Sequence, residues 1–339
     1  MRRDAPYIVV DRIGRRMLQR YLLAWLSLLC LVAYFWPQWG VTSFDPFVAS
    51  KPYLWYLIMV TMFAIGALLP SDEVRNVAAH WPTVLQGTLL QYITMPLFAY
   101  GVGRLFGFGP EMMLGVIIVG CVPGAMASNV LTLAAGGNVS YSVSLTTSAT
   151  LLSPLFVPAA FWLFLGKSLT ISPVNVSIEL LCQVVGPVVV GHLLSWLFPK
   201  FQLAMQWLGP VIANLAILWI VAAVFALNRD AITQHASTLG GALLLINVAG
   251  YTAGFLGGKA LRFSEPMRRA LTLEIGMQNA GLGTVLASQL YPDEPSTMIP
   301  PALYTFGCML TGTILAQFWR LRPVEAPSVK SSSIMVDDD

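Results

Sequence analysis

Apolar residues follow one another in long unbroken blocks along nearly the whole chain, separated by short polar connections. Each block is close to the ~20 residues that a helix needs to cross a hydrocarbon core of about 30 Å. Within the blocks the apolar positions are continuous and do not alternate, which predicts helices and argues against a barrel of strands. Ten spans are predicted, at residues 20–37, 54–70, 82–105, 111–135, 139–165, 175–198, 207–227, 238–261, 267–290 and 298–320. The fold class expected is therefore an all-α polytopic membrane protein.

Two of the spans are interrupted. The fourth carries Gly120-Cys121-Val122-Pro123-Gly124, in which the proline cannot donate to a helical ladder and the glycine lets the chain turn. Ser128 and Asn129 follow as candidate caps of a new half-helix, and Gly136-Gly137-Asn138 closes it. The ninth carries Glu274-Ile275-Gly276-Met277-Gln278-Asn279-Ala280-Gly281. The two breaks fall at the same place in two blocks of five spans. Five is odd, so the second block must enter the membrane inverted, and matched broken spans point to a transporter site at the midplane. The predicted organisation is a first five-helix repeat at 20–166 and an inverted second repeat at 175–320, with broken, crossing fourth and ninth helices.

Composition and charge sharpen this picture. Of 339 residues, 56 % are hydrophobic and only 10 % charged, far below the roughly 25 % of soluble domains. With the N-terminus placed in the cytoplasm and the spans alternating, 15 of the 19 basic residues fall on the inner side and four (Lys51, Arg104, Lys167, Arg229) on the outer. That bias predicts both termini cytoplasmic. Residues 1–19 read as a basic amphipathic segment on the inner leaflet, and 321–339 as a disordered cytoplasmic tail. The expected setting is a bacterial inner (plasma) membrane. The lipid bilayer is the expected surrounding and no nucleic acid is an expected partner. Nothing sets an oligomeric state, and a monomer is the working assumption.

The candidate chemistry is that of a hard cation. Cys30, Cys121, Cys182 and Cys308 lie in apolar spans without metal spacing and read as small core residues, and His80, His192 and His235 are isolated. No nucleophile–base set supports an enzyme. Glu274, in contrast, is an acid at membrane depth with no basic residue at matching depth in any span, so a cation or a proton must balance it. Oxygen-bearing side chains recur near the breaks: Ser128 and Asn129, Ser142 and Thr146 spaced i, i+4, Gln91 in the third span, and Gln278 spaced i, i+4 from Glu274. Carbonyls of Ile275 and Met277 add further oxygens where the helix unwinds. Hard ions such as Na⁺ take these ligands.

The stretches Pro123-Gly124-Ala125-Met126-Ala127-Ser128-Asn129, Gly137-Asn138-Val139-Ser140-Tyr141-Ser142, Glu274-Ile275-Gly276-Met277-Gln278-Asn279-Ala280-Gly281 and Gln91-Tyr92-Ile93-Thr94-Met95-Pro96 resemble the signatures of the bile acid:sodium symporter family. The resemblance covers roughly 50–320. It implies ten helices divided into core and panel domains. It also implies two sodium sites: a first formed by Ser128, Asn129, Ser142, Thr146 and Glu274, and a second by Gln91, Glu274, Ile275, Met277 and Gln278. A substrate region would fall at Met126, Ala127, Asn129, Asn279 and Ala280, beside half-helix N-termini that suit a carboxylate. The chain departs from the family at Ala125 and Met126, where a second glycine and a small hydroxyl are usual. The space that Met126 fills favours a smaller or flatter anion. The function expected is sodium-coupled import of an organic anion, such as a bile acid-like amphiphile or a small carboxylate, with two Na⁺ per anion. Two alternatives stay open, a proton-coupled transporter using Glu274 and a non-transporting anion receptor.

Overall fold

The computed structural model describes residues 22–39, 44–69, 79–166 and 172–322. The basic segment at 1–19 and nearly all of the tail at 321–339 lie outside the described residues. The described chain is helical: α1 Leu22–Phe35, α2 Pro46–Ala49, α3 Leu54–Leu68, α4 Trp81–Leu105, α5 Pro110–Cys121, α6 Ala127–Ala134, α7 Val139–Leu165, α8 Pro173–Leu180, α9 Gly186–Leu197, α10 Pro199–Leu227, α11 Arg229–Ala260, α12 Glu265–Gly276, α13 Ala280–Leu290 and α14 Ile299–Arg320. By length and composition, six stretches are long and apolar enough to cross a membrane: Lys51–Leu68, Val139–Phe164, Pro173–Leu197, Pro199–Leu227, Ser237–Ala260 and Pro295–Arg320. Pro110–Cys121 and Ala280–Leu290 are shorter apolar helices.

Helices occupy all ten stretches marked as spans in the sequence. The seventh and eighth begin earlier than hydropathy indicates, at Pro199 and Arg229, because polar residues such as Lys200 and Thr233 leave an apolar window without breaking a helix. The sixth holds an interruption that hydropathy does not report. Leu181–Val185 is a π turn between α8 and α9, and the Gly186 N–H reaches back to the Leu181 carbonyl. The cause is Pro187, whose ring would collide with the carbonyl four residues earlier and which brings no N–H of its own.

The helices pack in two groups. α1, α3, α8–α9 and α10 lie against one another, and α4–α7 lie against α11–α14. The groups meet where α8 rests on α7, where α10 touches α13 and α14, and where α1 touches α14. Apolar side chains fill the seam: Leu26 and Cys30 of α1, Leu218 and Val221 of α10, and Phe306 of α14 form one cluster. Three of the cysteines are buried as expected, but Cys182, within the π turn, is exposed.

Polar side chains fasten the connections. Arg229, at the start of α11, donates to the Ala33 and Tyr34 carbonyls and to the Asp45 carboxylate, while Asp45 also caps α2. Arg269 is one of the 15 basic residues assigned to the inner side, yet it is only 3 % exposed. Its guanidinium donates to the carbonyls of Ala135 (2.7 Å), Trp319 (3.3 Å) and Arg322 (2.8 Å), and pairs with Glu265. A positive charge thus sits against the C-terminal carbonyls of α6 and α14, where helix dipoles favour it.

Candidate functional site

Both interruptions exist, and they meet. α5 stops at Cys121 and α6 starts at Ala127; α12 stops at Gly276 and α13 starts at Ala280. Twelve plus eight residues in the first pair and twelve plus eleven in the second give rises of about 30 Å and 35 Å, each about the length of one span. At the meeting point Gly124 and Gln278 form an antiparallel bridge. The Ala125 N–H donates to the Met277 carbonyl and the Asn279 N–H to the Pro123 carbonyl, each at 2.7 Å. Groups freed by one broken helix are therefore satisfied by the other, as backbone at membrane depth requires.

Glu274 stands one turn before this bridge and is fully buried. Ser128 Oγ donates to its Oε2 at 2.5 Å and Thr146 Oγ1 to its Oε1 at 2.7 Å. Gly124 borders it so closely that a Cβ there would lie 2.0 Å from Oε1. Thr146 also approaches Asn129 Oδ1 at 3.4 Å and the Ser142 carbonyl at 3.1 Å, and Ser142 Oγ lies 3.3 Å from Thr132 Oγ1. Of the residues assigned to the first site, Ser128 of α6 and Thr146 of α7 meet the Glu274 carboxylate directly, Asn129 reaches Thr146, and Ser142 turns its hydroxyl to Thr132. No ion pair reaches Glu274 among the described residues.

The second set adjoins it. Gln91 Nε2, from α4, donates to Gln278 Oε1 at 3.2 Å, and Gln278 Nε2 to the Ile275 carbonyl at 2.8 Å. Gln91 Oε1 is buried with no partner among the described residues, an acceptor left for a donor or a cation. Of the residues assigned to the substrate region, Met126, Ala127 and Asn279 are partly exposed, whereas Asn129 and Ala280 are buried. Asn279 caps α13, its Oδ1 accepting from the Leu282 N–H at 3.2 Å.

Two local expectations are corrected. Ser128 and Asn129 do not cap the half-helix: Met126 holds the cap position without a side-chain bond, and both residues lie in the first turn of α6. Their side chains are taken by Glu274 and Thr146, which outweighs capping at this depth. Glu274 and Gln278 do not share a helix face either, because α12 ends at Gly276 and Gln278 is already extended in the bridge.

Hydropathy and motif reading passed over the brace behind the break. Asn247 Nδ2 and Tyr304 Oη both donate to the Gly276 carbonyl, at 2.7 and 2.9 Å, closing the end of α12 from α11 and α14. A lone Asn in an apolar helix was the available signal. A second acid within a span, Glu179, was also passed over; it accepts from Gln183 across the start of the π turn, away from Glu274.

A polytopic helical membrane protein with an uncompensated acid caged by oxygens where two broken helices cross belongs to the class of ion-coupled transporters. Residues 55–235 match the Sodium Bile acid symporter family. Similar proteins include the uncharacterized sodium-dependent transporter YocS of Bacillus subtilis, 33 % identical over 85 % of this chain and 89 % of that one. The probable sodium/metabolite cotransporter BASS1 of Arabidopsis thaliana is 30 % identical over 87 % of this chain and 72 % of that one. A sodium-dependent organic anion transporter of Bos taurus is 26 % identical over 78 % and 72 %. The chain belongs to the sodium bile acid symporter family, and it is a transporter, not an enzyme.

Proposed function

We propose that the protein imports an organic anion together with two Na⁺ by alternating access. The observation that carries this reading is Glu274: fully buried, held by two hydroxyls, bordered by amide and carbonyl oxygens, and without a basic partner among the described residues. A bare carboxylate at this depth is costly, and a hard cation surrounded by oxygens offsets the cost. In this reading Ser128, Asn129, Ser142, Thr146 and Glu274 hold one ion. Gln91, Glu274, Gln278 and the backbone of Ile275 and Met277 hold the other. The unpartnered Gln91 Oε1 supports the second assignment.

The ten helical stretches act as ten spans in two inverted repeats. Contacts between connections support this alternation. Lys51 reaches the Pro292 carbonyl, Glu111 meets Ser296 and Asp45 pairs with Arg229, all on the side assigned as outer. Arg269 gathers Ala135, Trp319 and Arg322 on the side assigned as inner. The larger helix group, α4–α7 with α11–α14, is the core, and α1, α3 and α8–α10 form the panel against which it rocks. The anion docks at the half-helix starts, by Met126, Ala127, Asn129, Asn279 and Ala280, and the names of the relatives, metabolite and organic anion transporters, fit a carboxylate there.

Uptake into proteoliposomes tests this. Replacing external Na⁺ by choline at constant pH should reduce uptake to background, whereas uptake that survives the exchange would make Glu274 a proton carrier. Two Na⁺ with a monoanion carry one net charge, about 2.3 kcal/mol per 100 mV, so an inside-negative potential should accelerate uptake. Thr146→Val keeps the shape and removes the hydroxyl that meets Glu274. The half-saturating Na⁺ concentration should rise roughly tenfold, the size of one hydrogen bond to a charged group at ~1.4 kcal/mol per decade. An unchanged sodium titration would remove Thr146 from the site.

A further inference from the structure

Three unpaired cations gather where α11 turns into α12. Phe255, Gly258 and Lys259 follow at i, i+3 and i+4 and share one face of α11. Arg268 of α12 lies across that face. A Cβ added to Gly258 would stand 2.9 Å from Arg268 Cγ, and the guanidinium sits over the Phe255 ring, 5.3 Å from its centroid. The Arg268 guanidinium makes no hydrogen bond or ion pair among the described residues, and of its three nitrogens only Nε is shut off, so the two terminal ones stay accessible. Lys259 and Arg262 are exposed and equally unpaired among the described residues, while the neighbouring acid, Glu265, is taken by Arg269. The helix end itself is held by bonds from the Phe263 N–H to the Gly258 carbonyl (2.9 Å) and from the Arg262 N–H to the Lys259 carbonyl (3.0 Å). This closure puts Arg262 in the left-handed position, φ +58°, which glycine takes without strain. Among the described residues no other non-glycine has a positive φ.

We propose that this end of the molecule holds the headgroup of an anionic phospholipid, with Arg268, Lys259 and Arg262 receiving the phosphate and the acyl chains lying along the exposed Phe255 and Leu256. A guanidinium offers a phosphate two parallel donors, and basic pockets between helices at a membrane edge take lipid headgroups. The depth agrees. α11 ends at Ala260, so Phe255 stands five residues or about 7.5 Å further in, close to the thickness of the headgroup layer. Orientation in the membrane is served by any basic residues of a connection. It does not call for an arginine in left-handed backbone or a guanidinium laid over an exposed ring. A zwitterionic lipid brings its own cation to the phosphate and gains less from this cluster. The proposal rests neither on sodium coupling nor on which side of the membrane is cytoplasmic.

Native mass spectrometry of the full chain in detergent tests it, with dioleoyl phosphatidylglycerol titrated in parallel with dioleoyl phosphatidylcholine. The anionic lipid should bind about tenfold more tightly. Arg268→Gln should weaken it about fivefold, the size of one basic residue near a membrane surface. Arg262→Gly should weaken it to a similar degree while the melting temperature without lipid holds or rises, because glycine relaxes the left-handed position. Lys200→Gln removes an exposed cation at the start of α10, assigned to the same side of the membrane, and should leave the affinity unchanged. Equal affinity for the two lipids would overturn the proposal. So would a loss in Lys200→Gln as large as in Arg268→Gln, which is the mark of diffuse attraction to the whole face. Parental phosphatidylglycerol binding in folded Arg262→Gly and Arg268→Gln would overturn the site.

Discussion

Glu274→Gln abolishes sodium-stimulated uptake while leaving the protein folded. The change keeps the length and the planar end of the side chain. Ser128 and Thr146, which now donate to the two carboxylate oxygens, retain partners: one hydroxyl donates to the new amide oxygen and the other accepts from the new NH₂. Only the charge is lost, and with it the anionic ligand common to both proposed ions. Unpairing a buried charge costs about 3–5 kcal/mol, which corresponds to an affinity loss of roughly 10²–10⁴-fold. Thermal stability without sodium should hold or rise, since a buried uncompensated carboxylate is removed. Proteoliposome uptake and a melting curve in sodium-free buffer check the two halves. Sodium-stimulated uptake of parental size in this variant would take Glu274 out of the mechanism.

Gly124→Ala has nearly as large an effect, although it touches no titratable group directly in the sequence. The added methyl would stand 2.0 Å from Glu274 Oε1 and 2.6 Å from its carboxyl carbon. Neither side has room to retreat. The backbone of Gly124 is held by bonds from Ala125 to Met277 and from Asn279 to Pro123, and the carboxylate is held by Ser128 and Thr146. Relief requires either separating the two breaks or swinging Glu274 out of its cage. Overpacking of this kind costs about 1–3 kcal/mol of stability. The functional loss is greater, since either route dismantles the oxygen set: sodium dependence should disappear in the fraction that folds. A melting curve and a sodium titration of uptake separate the two effects, and a parental sodium response would show that the crossing is looser than its contacts imply.

The breaks were legible in the sequence because proline and glycine act locally. Pro123 and Gly124 end a helix whatever surrounds them, and Gly136, with φ of +64°, turns the chain after α6 as its position suggested. Glu274 was legible because its cost depends only on depth in the membrane. What escaped depends on partners distant in the chain. Ser128 read as a cap because its nearest sequence neighbours are free N–H groups, but its actual partner lies 146 residues away. Gln278 read as a helix neighbour of Glu274 because spacing cannot tell that the chain leaves the helix at Met277. Asn247 and Tyr304 gave no periodic or motif signal, yet they hold the end of α12. Arg269 shows the same limit for charge: counting it on the inner side says nothing of its burial against three carbonyls.

The most direct measurement is equilibrium binding of radioactive Na⁺ to the purified chain in nanodiscs, with no anion and no gradient present. The parent should bind two ions that unlabelled Na⁺ displaces and choline does not, and Glu274→Gln should lose both together, since the two ligand sets share that carboxylate. Full sodium binding in the variant, or none in the parent, would contradict the account.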